Sequence, residues 1–263
     1  MKKLLLLASS ALITQVTFAD VNFSDNFNSY ANGNLVGQGP WTQTGASATT
    51  PIQVSSGAAV VGTSGQDIYA ALAAPINLQD GQSFYIGADL NFSSAQAAGD
   101  YFLHYSSPVG TTSVFQERIF AKSSGSGLVL GYDAGAGTAV NYGSLVLSLN
   151  QTYRIVLDYT AVAGITNDTF AMYVNPVDTS VEGNNTAYLT SVYNSSSSPE
   201  SPTVSAINLR QGTAANAPAL TVDNLDVTTT FGEAAVFTVP EPSTIALGVF
   251  SGLVGVIWFR RRK

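Results

Sequence analysis

Apolar residues recur at every second position in several stretches of this chain, and that period constrains the fold more than any other feature. In 82–92, apolar side chains would share one face and the remaining ones the other: Phe84, Ile86, Ala88, Leu90 and Phe92 against Tyr85, Gly87, Asp89 and Asn91. Successive side chains of a β-strand point to opposite faces, so this period predicts a strand with one buried face. The pattern returns at 153–159 and at 170–174.

Further strands are predicted between clusters of turn-forming residues. The candidate strands are 100–105, 114–121, 128–132, 206–209 and 220–229, and the clusters include 123–127 and 133–137. Gly, Ser, Asn and Asp in such clusters are typical of turns. The serine run at 195–198 predicts a surface loop. Many short strands with turn-rich spacers predict an all-β fold, a β-sandwich.

The first nineteen residues have the three parts of a secretory signal peptide. Lys2 and Lys3 form a positively charged N-terminal region, and residues 4–8 are apolar. Thr17 and Ala19 are the small residues expected just before a cleavage site. This combination is typical of a segment removed after export. We expect cleavage between Ala19 and Asp20, which removes residues 1–19.

The C-terminus contains a second apolar segment. No charged residue occurs between Glu241 and Arg260, a stretch of eighteen residues. As a helix it would span about 27 Å, close to the roughly 30 Å of a bilayer core. Arg260, Arg261, Arg262 and Lys263 follow directly, and such clusters stay on the cytoplasmic side. We therefore expect a single transmembrane helix in the inner membrane, with the body outside the cytoplasm.

A proline pair precedes this predicted helix. Pro240 and Pro242 flank Glu241, and two prolines so close interrupt both helix and strand. The proline–glutamate–proline run, the short apolar helix and the terminal arginines together resemble the PEP-CTERM sorting signal. That resemblance implies a membrane sorting protease, an exosortase, as partner and a mature protein without residues 245–263. Tails of this kind are also labelled ice-binding-protein C-terminal domains, but no residue here indicates contact with ice.

These boundaries divide the chain into a signal peptide (1–19), an ectodomain (20–232), a linker (233–238) and a sorting segment (239–263). Between residues 20 and 238, four basic residues stand against sixteen acidic ones, a net charge of −12. Such a body repels nucleic acid and anionic lipid, so we expect neither as a partner. The chain has no cysteine, so its core must hold the fold without disulfides.

The body also resembles a laminin-G or concanavalin-like jelly roll. The matching positions are Asp25, Asn26, Phe27, Tyr30, Gly33, Leu35, Gly37 and Trp41 at the start, 153–159 and 167–176 in the middle, and 222–225 at the end. The resemblance implies that the first and last strands of the domain pair.

The residues for catalysis are sparse. His104 is the only histidine, and it lies in an aromatic run at 101–105. Glu117 is the only glutamate in a predicted strand, and it has no acidic neighbour two or four positions away. Sugar hydrolysis on a sandwich needs two carboxylates flanking the scissile bond. We therefore expect no catalytic residues and no enzyme activity.

A structural Ca²⁺ site is the one cofactor that the sequence suggests. Calcium binds carboxylate and carbonyl oxygens. If the first and last strands pair, Asp25 approaches Asp223 and, with a bulge, Asp226. The alternative is that these are turn and strand-end residues making local hydrogen bonds.

Aromatic residues provide the candidate ligand site. Trp41, and Tyr85 beside Asp89 and Asn91, are candidates for an exposed carbohydrate-binding platform, whereas aromatic residues of sandwiches also serve as core. The sequence thus predicts an exported, non-enzymatic protein of the cell surface or extracellular polysaccharide matrix, acting as adhesin, polysaccharide binder or structural component. The alternative is a secreted polysaccharide hydrolase or lyase.

Overall fold

The computed structural model describes residues 21–45, 49–111, 115–135, 139–193, 200–201 and 203–236. The predicted signal peptide, the serine loop at 195–198 and the predicted transmembrane helix lie outside these residues. Within them, no helix has the length and apolarity needed to cross a membrane.

The described residues form sixteen strands, one short helix and a 3₁₀ turn. In chain order the strands are β1 (Phe23–Asp25), β2 (Gly33–Asn34), β3 (Trp41–Thr44), β4 (Gln53–Ser55), β5 (Ala58–Val61), β6 (Asp67–Asn77), β7 (Ser83–Ser94), β8 (Asp100–Ser106), β9 (Phe115–Ser124), β10 (Gly127–Gly135), β11 (Asn141–Tyr142), β12 (Thr152–Thr160), β13 (Thr169–Val174), β14 (Leu189–Val192), β15 (Thr203–Leu209) and β16 (Ala219–Thr228). The 3₁₀ turn is Glu182–Asn184, and helix α1 is Phe231–Ala235.

The strands make two antiparallel sheets. Sheet I has the order β14-β13-β12-β7-β16-β5-β4-β2, with β1 also on β16, and sheet II has the order β11-β10-β9-β8-β15-β6-β3. The predicted all-β class is confirmed, and β7, β8, β9, β10, β12, β13, β15 and β16 match the predicted strands within a few residues. The pairing of first and last strands is also confirmed, because Phe23 of β1 lies opposite Val227 of β16.

Trp41 lies in the core between the sheets, so the prediction that it forms an exposed platform is wrong. Its side chain is 2% exposed and stacks on Phe27 at 5.9 Å between ring centroids. Its indole Nε1 donates to Asp25 Oδ2 at 2.7 Å. The Tyr30 hydroxyl donates to the same oxygen, and the Phe27 amide donates to Oδ1. Asp25 therefore holds the turn after β1 in place and positions the Trp41 indole in the core.

Replacement of Asp25 with alanine should lower the free energy of unfolding by about 2–4 kcal/mol, because it leaves the buried Trp41 N–H without an acceptor and removes two further bonds. Urea denaturation measures the change. The Asp25→Asn variant, which keeps one oxygen acceptor, should lose less. A loss below 1 kcal/mol in the alanine variant would contradict this role for the carboxylate.

Two β-bulges change which side chains share a face. In β9 the register against β8 shifts near Glu117, which has a left-handed φ of 50°. In β16 the register against β7 shifts between Asp223 and Asp226, around Asn224 with a φ of 47°. A bulge inserts an extra residue and re-aims the side chains beside it. As a result, Asp223 and Asp226 lie on the same face of sheet I.

Helix α1 packs on the outer face of sheet I, although residues from 233 onward were predicted to be linker. Phe231 makes edge-to-face contacts with Tyr85 and Tyr173, at 6.0 and 5.4 Å between ring centroids. Ala234 and Ala235 are buried beside them. The folded body thus extends to the end of the described chain at Val236.

Candidate functional site

Three of the four basic residues of the body lie on the outer face of sheet II. Because side chains alternate along β9, Arg118, Phe120 and Lys122 all point away from the core after the bulge, whereas Ile119 and Ala121 belong to it. Arg210 follows β15 and reaches the same face. We call this region the arginine face and define it by Tyr101, Arg118, Lys122 and Arg210, with the carboxylates that pair with them.

Tyr101 lies at the centre of the arginine face, between two guanidinium groups. The guanidinium carbon of Arg210 is 4.0 Å from the centre of its ring, and that of Arg118 is 5.1 Å away. Cations over aromatic faces are stabilised by the ring quadrupole. This packing fixes the orientation of both arginines.

Aspartates pair with these arginines. Arg118 Nη2 donates to Asp133 Oδ2 at 2.7 Å, and Arg210 Nη1 lies 2.9 Å from Asp100 Oδ1. Arg210 Nε lies 3.9 Å from Asp67 Oδ2. The Arg118 and Arg210 side chains stay 14% and 19% exposed, so each guanidinium retains some access to solvent. Around Arg210 the face therefore offers donors and acceptors side by side, whereas the Asp133 carboxylate beside Arg118 is buried.

His104 lies beneath this layer, with its ring 5.4 Å from that of Tyr101. Burial, together with the charges of Arg210 and Arg118, lowers the pKa of His104 to about 3. Burial also raises the pKa of Tyr101, against the opposing effect of the arginines. At neutral pH both groups are therefore uncharged.

Two tyrosines border the arginine face. Tyr69 of β6 lies opposite Asn208 on the next strand, close to Gly110. On the other side, the ammonium of Lys122 lies 3.9 Å from the centre of the Tyr142 ring. Both rings are half-buried, so part of each remains available for a partner.

The predicted platform of Tyr85, Asp89 and Asn91 lies on the opposite side of the molecule, on the outer face of sheet I. Tyr85 is buried under Phe231 and donates to Glu182 Oε2 at 2.9 Å, so the prediction that it is exposed is wrong. Asp89 accepts from Asn224, and Asn91 donates to Thr152 Oγ1. The alternation was correct, but α1 covers the part of this face around Tyr85, whereas Asp89 stays 26% exposed.

The predicted calcium ligands are close in the fold but have other partners. Both oxygens of Asp25 accept hydrogen bonds, and Asp226 accepts from the Gly87 amide and pairs with Arg154 at 3.1 Å. Asp223 Oδ1 accepts from the Asn224 amide. In the part of the chain that the structure describes, no group of three or more acidic, histidine or cysteine residues is arranged to hold a metal ion. The calcium site stays a prediction, and a calcium titration of the melting temperature tests it.

Glu117 is directed into the sandwich, away from the arginine face. It lies near the hydroxyls of Tyr105 and Tyr132, yet among the described residues none of these oxygens has a partner in hydrogen-bond geometry. Burial raises the pKa of Glu117 well above its usual value. Burial thus favours the protonated form of Glu117.

The sequence contains one local indication of the arginine face, the spacing of two of its basic residues. Arg118 and Lys122 flank Phe120 at spacings of two, which already places them on one strand face. Their meeting with Tyr101 and Arg210 depends on the order β9-β8-β15 in sheet II, which no local pattern indicates.

The family comparison concerns the C-terminus. The PEP-CTERM protein-sorting motif matches residues 238–263. The chain carries this sorting motif. It implies export, sorting to the cell surface and processing by an exosortase. The matched residues include Pro240, Glu241, Pro242 and the terminal arginines.

The body is similar to several solved structures. One is an alginate lyase in complex with alginate trisaccharide, with 13% identity over 81% of this chain and 100% of that one, and a TM-score of 0.48. Another is the CBM2 module of the evolved Dit of Lactobacillus casei BL23 phage J-1, with 10% identity, coverage of 80% and 96%, and a TM-score of 0.49. A third is domain 4 of an extracellular arabinanase from Geobacillus stearothermophilus in complex with arabinotriose, with 13% identity, coverage of 82% and 97%, and a TM-score of 0.47.

Identities this low, with TM-scores below 0.5, give this chain neither an activity nor a ligand. None of the curated proteins compared with the chain matches it.

Proposed function

We propose that this exported protein is a non-enzymatic, surface-sorted β-sandwich that binds polysaccharide of the extracellular matrix through the arginine face. In this role it acts as an adhesin, a binder or a structural component of the matrix. The sorting motif at 238–263 supports the location. A C-terminal helix holds the chain in the inner membrane until the exosortase acts.

The observation that carries the proposal is the pairing of donors and acceptors around aromatic rings on the arginine face. Sugar hydroxyls both donate and accept hydrogen bonds, as those of serine and tyrosine do. Arg210 with Asp100 and the more exposed Asp67 offers both kinds of partner within a few ångströms, and Arg118 adds a donor beside the buried Asp133. Tyr69 and Tyr142 border them with half-buried rings, which suit the apolar faces of a sugar.

The acid–base properties of the site favour binding over turnover. A general base works best with a pKa near the operating pH. The pKa of His104 is lowered to about 3, and that of Tyr101 is raised, so neither group is suited to exchange a proton at neutral pH.

The alternative function, a secreted hydrolase or lyase, draws on the same residues. Tyr101, His104 and the two arginines meet on one face, and such groups serve proton transfer and charge stabilisation in enzymes. This function would require that a bound ligand shift the pKa of Tyr101 or His104 to a value near neutral pH.

Replacement of Arg210 with glutamine should weaken polysaccharide binding at least about tenfold, because it removes a charged hydrogen-bond donor of the site. Glycan-array binding with titration of the strongest hit measures the effect. Thr190→Ala, an exposed change on sheet I, is the control and should bind normally. Unchanged binding by a folded Arg210→Gln protein would contradict the assigned face.

A further inference from the structure

We infer that the arginine face selects uncharged polysaccharide and excludes polyanionic polysaccharide, an inference that rests on the proposed function. The first observation is charge balance within the face. Arg118 is paired with Asp133 at 2.7 Å, and Arg210 has Asp100 at 2.9 Å and Asp67 at 3.9 Å. With Lys122, three cations therefore stand beside three carboxylates, and the face carries no excess positive charge.

The accessible groups show how this balance acts on a ligand. The Asp67 side chain is 35% exposed, against 19% for Arg210, so the carboxylate is the more accessible member of that pair. A uronate or sulfate approaching Arg210 would meet Asp67 and Asp100 within the same few ångströms. Like charges at such distances repel, whereas a hydroxyl can donate to the aspartate and accept from the arginine.

The charge of the rest of the body acts in the same direction. The net charge of −12 between residues 20 and 238 includes only four basic residues, and three of them are already on this face. Counterion release drives polyanion binding only where unpaired cations replace the counterions. Since both arginines of the face have carboxylate partners, a polyanion gains little of that driving force.

Lys122 is the exception within the face, because its ammonium is placed over the Tyr142 ring. A single cation at the edge of the face cannot bind a polyanion along its length, because such binding needs several cations in a row. Its contact with the ring instead fixes a tyrosine that borders the face.

The test compares oligosaccharides of matched length: a neutral glucan and a neutral galactomannan against a polyuronate, each titrated against the full ectodomain at about 20 and 200 mM NaCl. We expect a neutral glycan to bind at least about tenfold more tightly than the polyuronate, with an affinity that changes less than about twofold with salt. Polyuronate binding that is tighter and falls steeply with salt would overturn the inference while leaving the proposed function in place. Absence of binding to every glycan would overturn the proposed function itself.

A charge variant gives an independent readout of the same inference. The double substitution Asp67→Asn, Asp100→Asn keeps an oxygen acceptor at each position and leaves the arginines unbalanced. We expect this variant to gain salt-sensitive binding to the polyuronate, by about tenfold over wild type. The matched control is Asp178→Asn, an exposed aspartate in the loop after β13 on sheet I, which should gain none. Equal polyuronate binding by wild type and the double variant would show that the aspartates exclude nothing.

Discussion

Replacement of Arg154 with methionine should lower the free energy of unfolding at pH 8 by about 3–5 kcal/mol. The Arg154 guanidinium is 12% exposed and lies between β7, β16 and α1. Its Nη2 and Nε donate to the Ala234 carbonyl at 2.6 and 3.0 Å, and its Nη1 donates to the Asn224 carbonyl at 2.7 Å. Without the guanidinium, the buried Asp226 must either keep an uncompensated charge or take up a proton at pH 8, and either outcome costs stability.

The same substitution should release α1 from the body. Gly87 shows how closely the parts fit, because a Cβ at this position would lie 2.3 Å from the Ala234 oxygen, from Arg154 Nη2 and from Asp226 Oδ1. Loss of the guanidinium removes the donors that hold the Ala234 carbonyl. Hydrogen exchange at 231–236 should then accelerate more than exchange in the core strands.

Urea denaturation of the Arg154→Met protein measures the predicted loss. Lys122→Met is the matched control, since it removes a cation that has no carboxylate partner among the described ion pairs. That control should cost less than about 1 kcal/mol. If the two variants lose the same small amount, Arg154 does not hold the C-terminal end of the body.

Stability should fall, rather than rise, as the pH increases from 4 to 8. Burial, together with the neighbouring carboxylate of Glu182, raises the pKa of Asp158 to about 7. Burial likewise raises the pKa of Asp226 to about 7, against the opposing charge of Arg154. The folded protein therefore binds more protons than the unfolded chain between about pH 4 and pH 7, so its stability is greatest below this window and is lost as the pH rises through 7.

The fall in stability between pH 4 and pH 8 should be on the order of a few kcal/mol, with Asp158 contributing a large part of it. Denaturation curves recorded at intervals of one pH unit measure this change. The relevant result is the slope of the free energy of unfolding against pH, not its absolute value. In Asp158→Asn this part of the slope should disappear. Asp178→Asn is the control, because hydrogen bonds from Asn184 and Ser180 lower the pKa of that exposed carboxylate. A wild-type stability that rises between pH 4 and pH 7 would contradict the prediction.

The recurrence of apolar residues at every second position was enough to predict the central strands, but not the strands at the edges of the sheets. Strands β7 and β12 alternate bulky apolar residues with polar ones, so each could be found from its own sequence. Strand β6 escaped because alanines at 70, 71, 73 and 74 give almost no contrast between its faces. The two-residue strands β2 and β11 are defined by their pairing with β4 and β10, which two residues cannot specify on their own.

Site prediction failed at Tyr85 and Trp41 for different physical reasons. Tyr85 does point away from the central core, but Phe231 comes from the far end of the chain to cover it. Trp41 is buried because Asp25 supplies an acceptor for its indole inside the fold. Both outcomes depend on contacts between residues far apart in the sequence. The arginine face was missed for the same reason, since Arg118 and Arg210 meet only through Tyr101.

We propose that the arginine face binds polysaccharide without cleaving it. The most direct measurement incubates the purified ectodomain with a polysaccharide that it binds and follows bound ligand and new chain ends in the same samples. We predict saturable binding that is weakened in Arg210→Gln, with no increase in chain ends over the protein-free control. Chain ends that accumulate over many turnovers per protein, and that disappear with the same substitution, would contradict the claim and establish the enzyme.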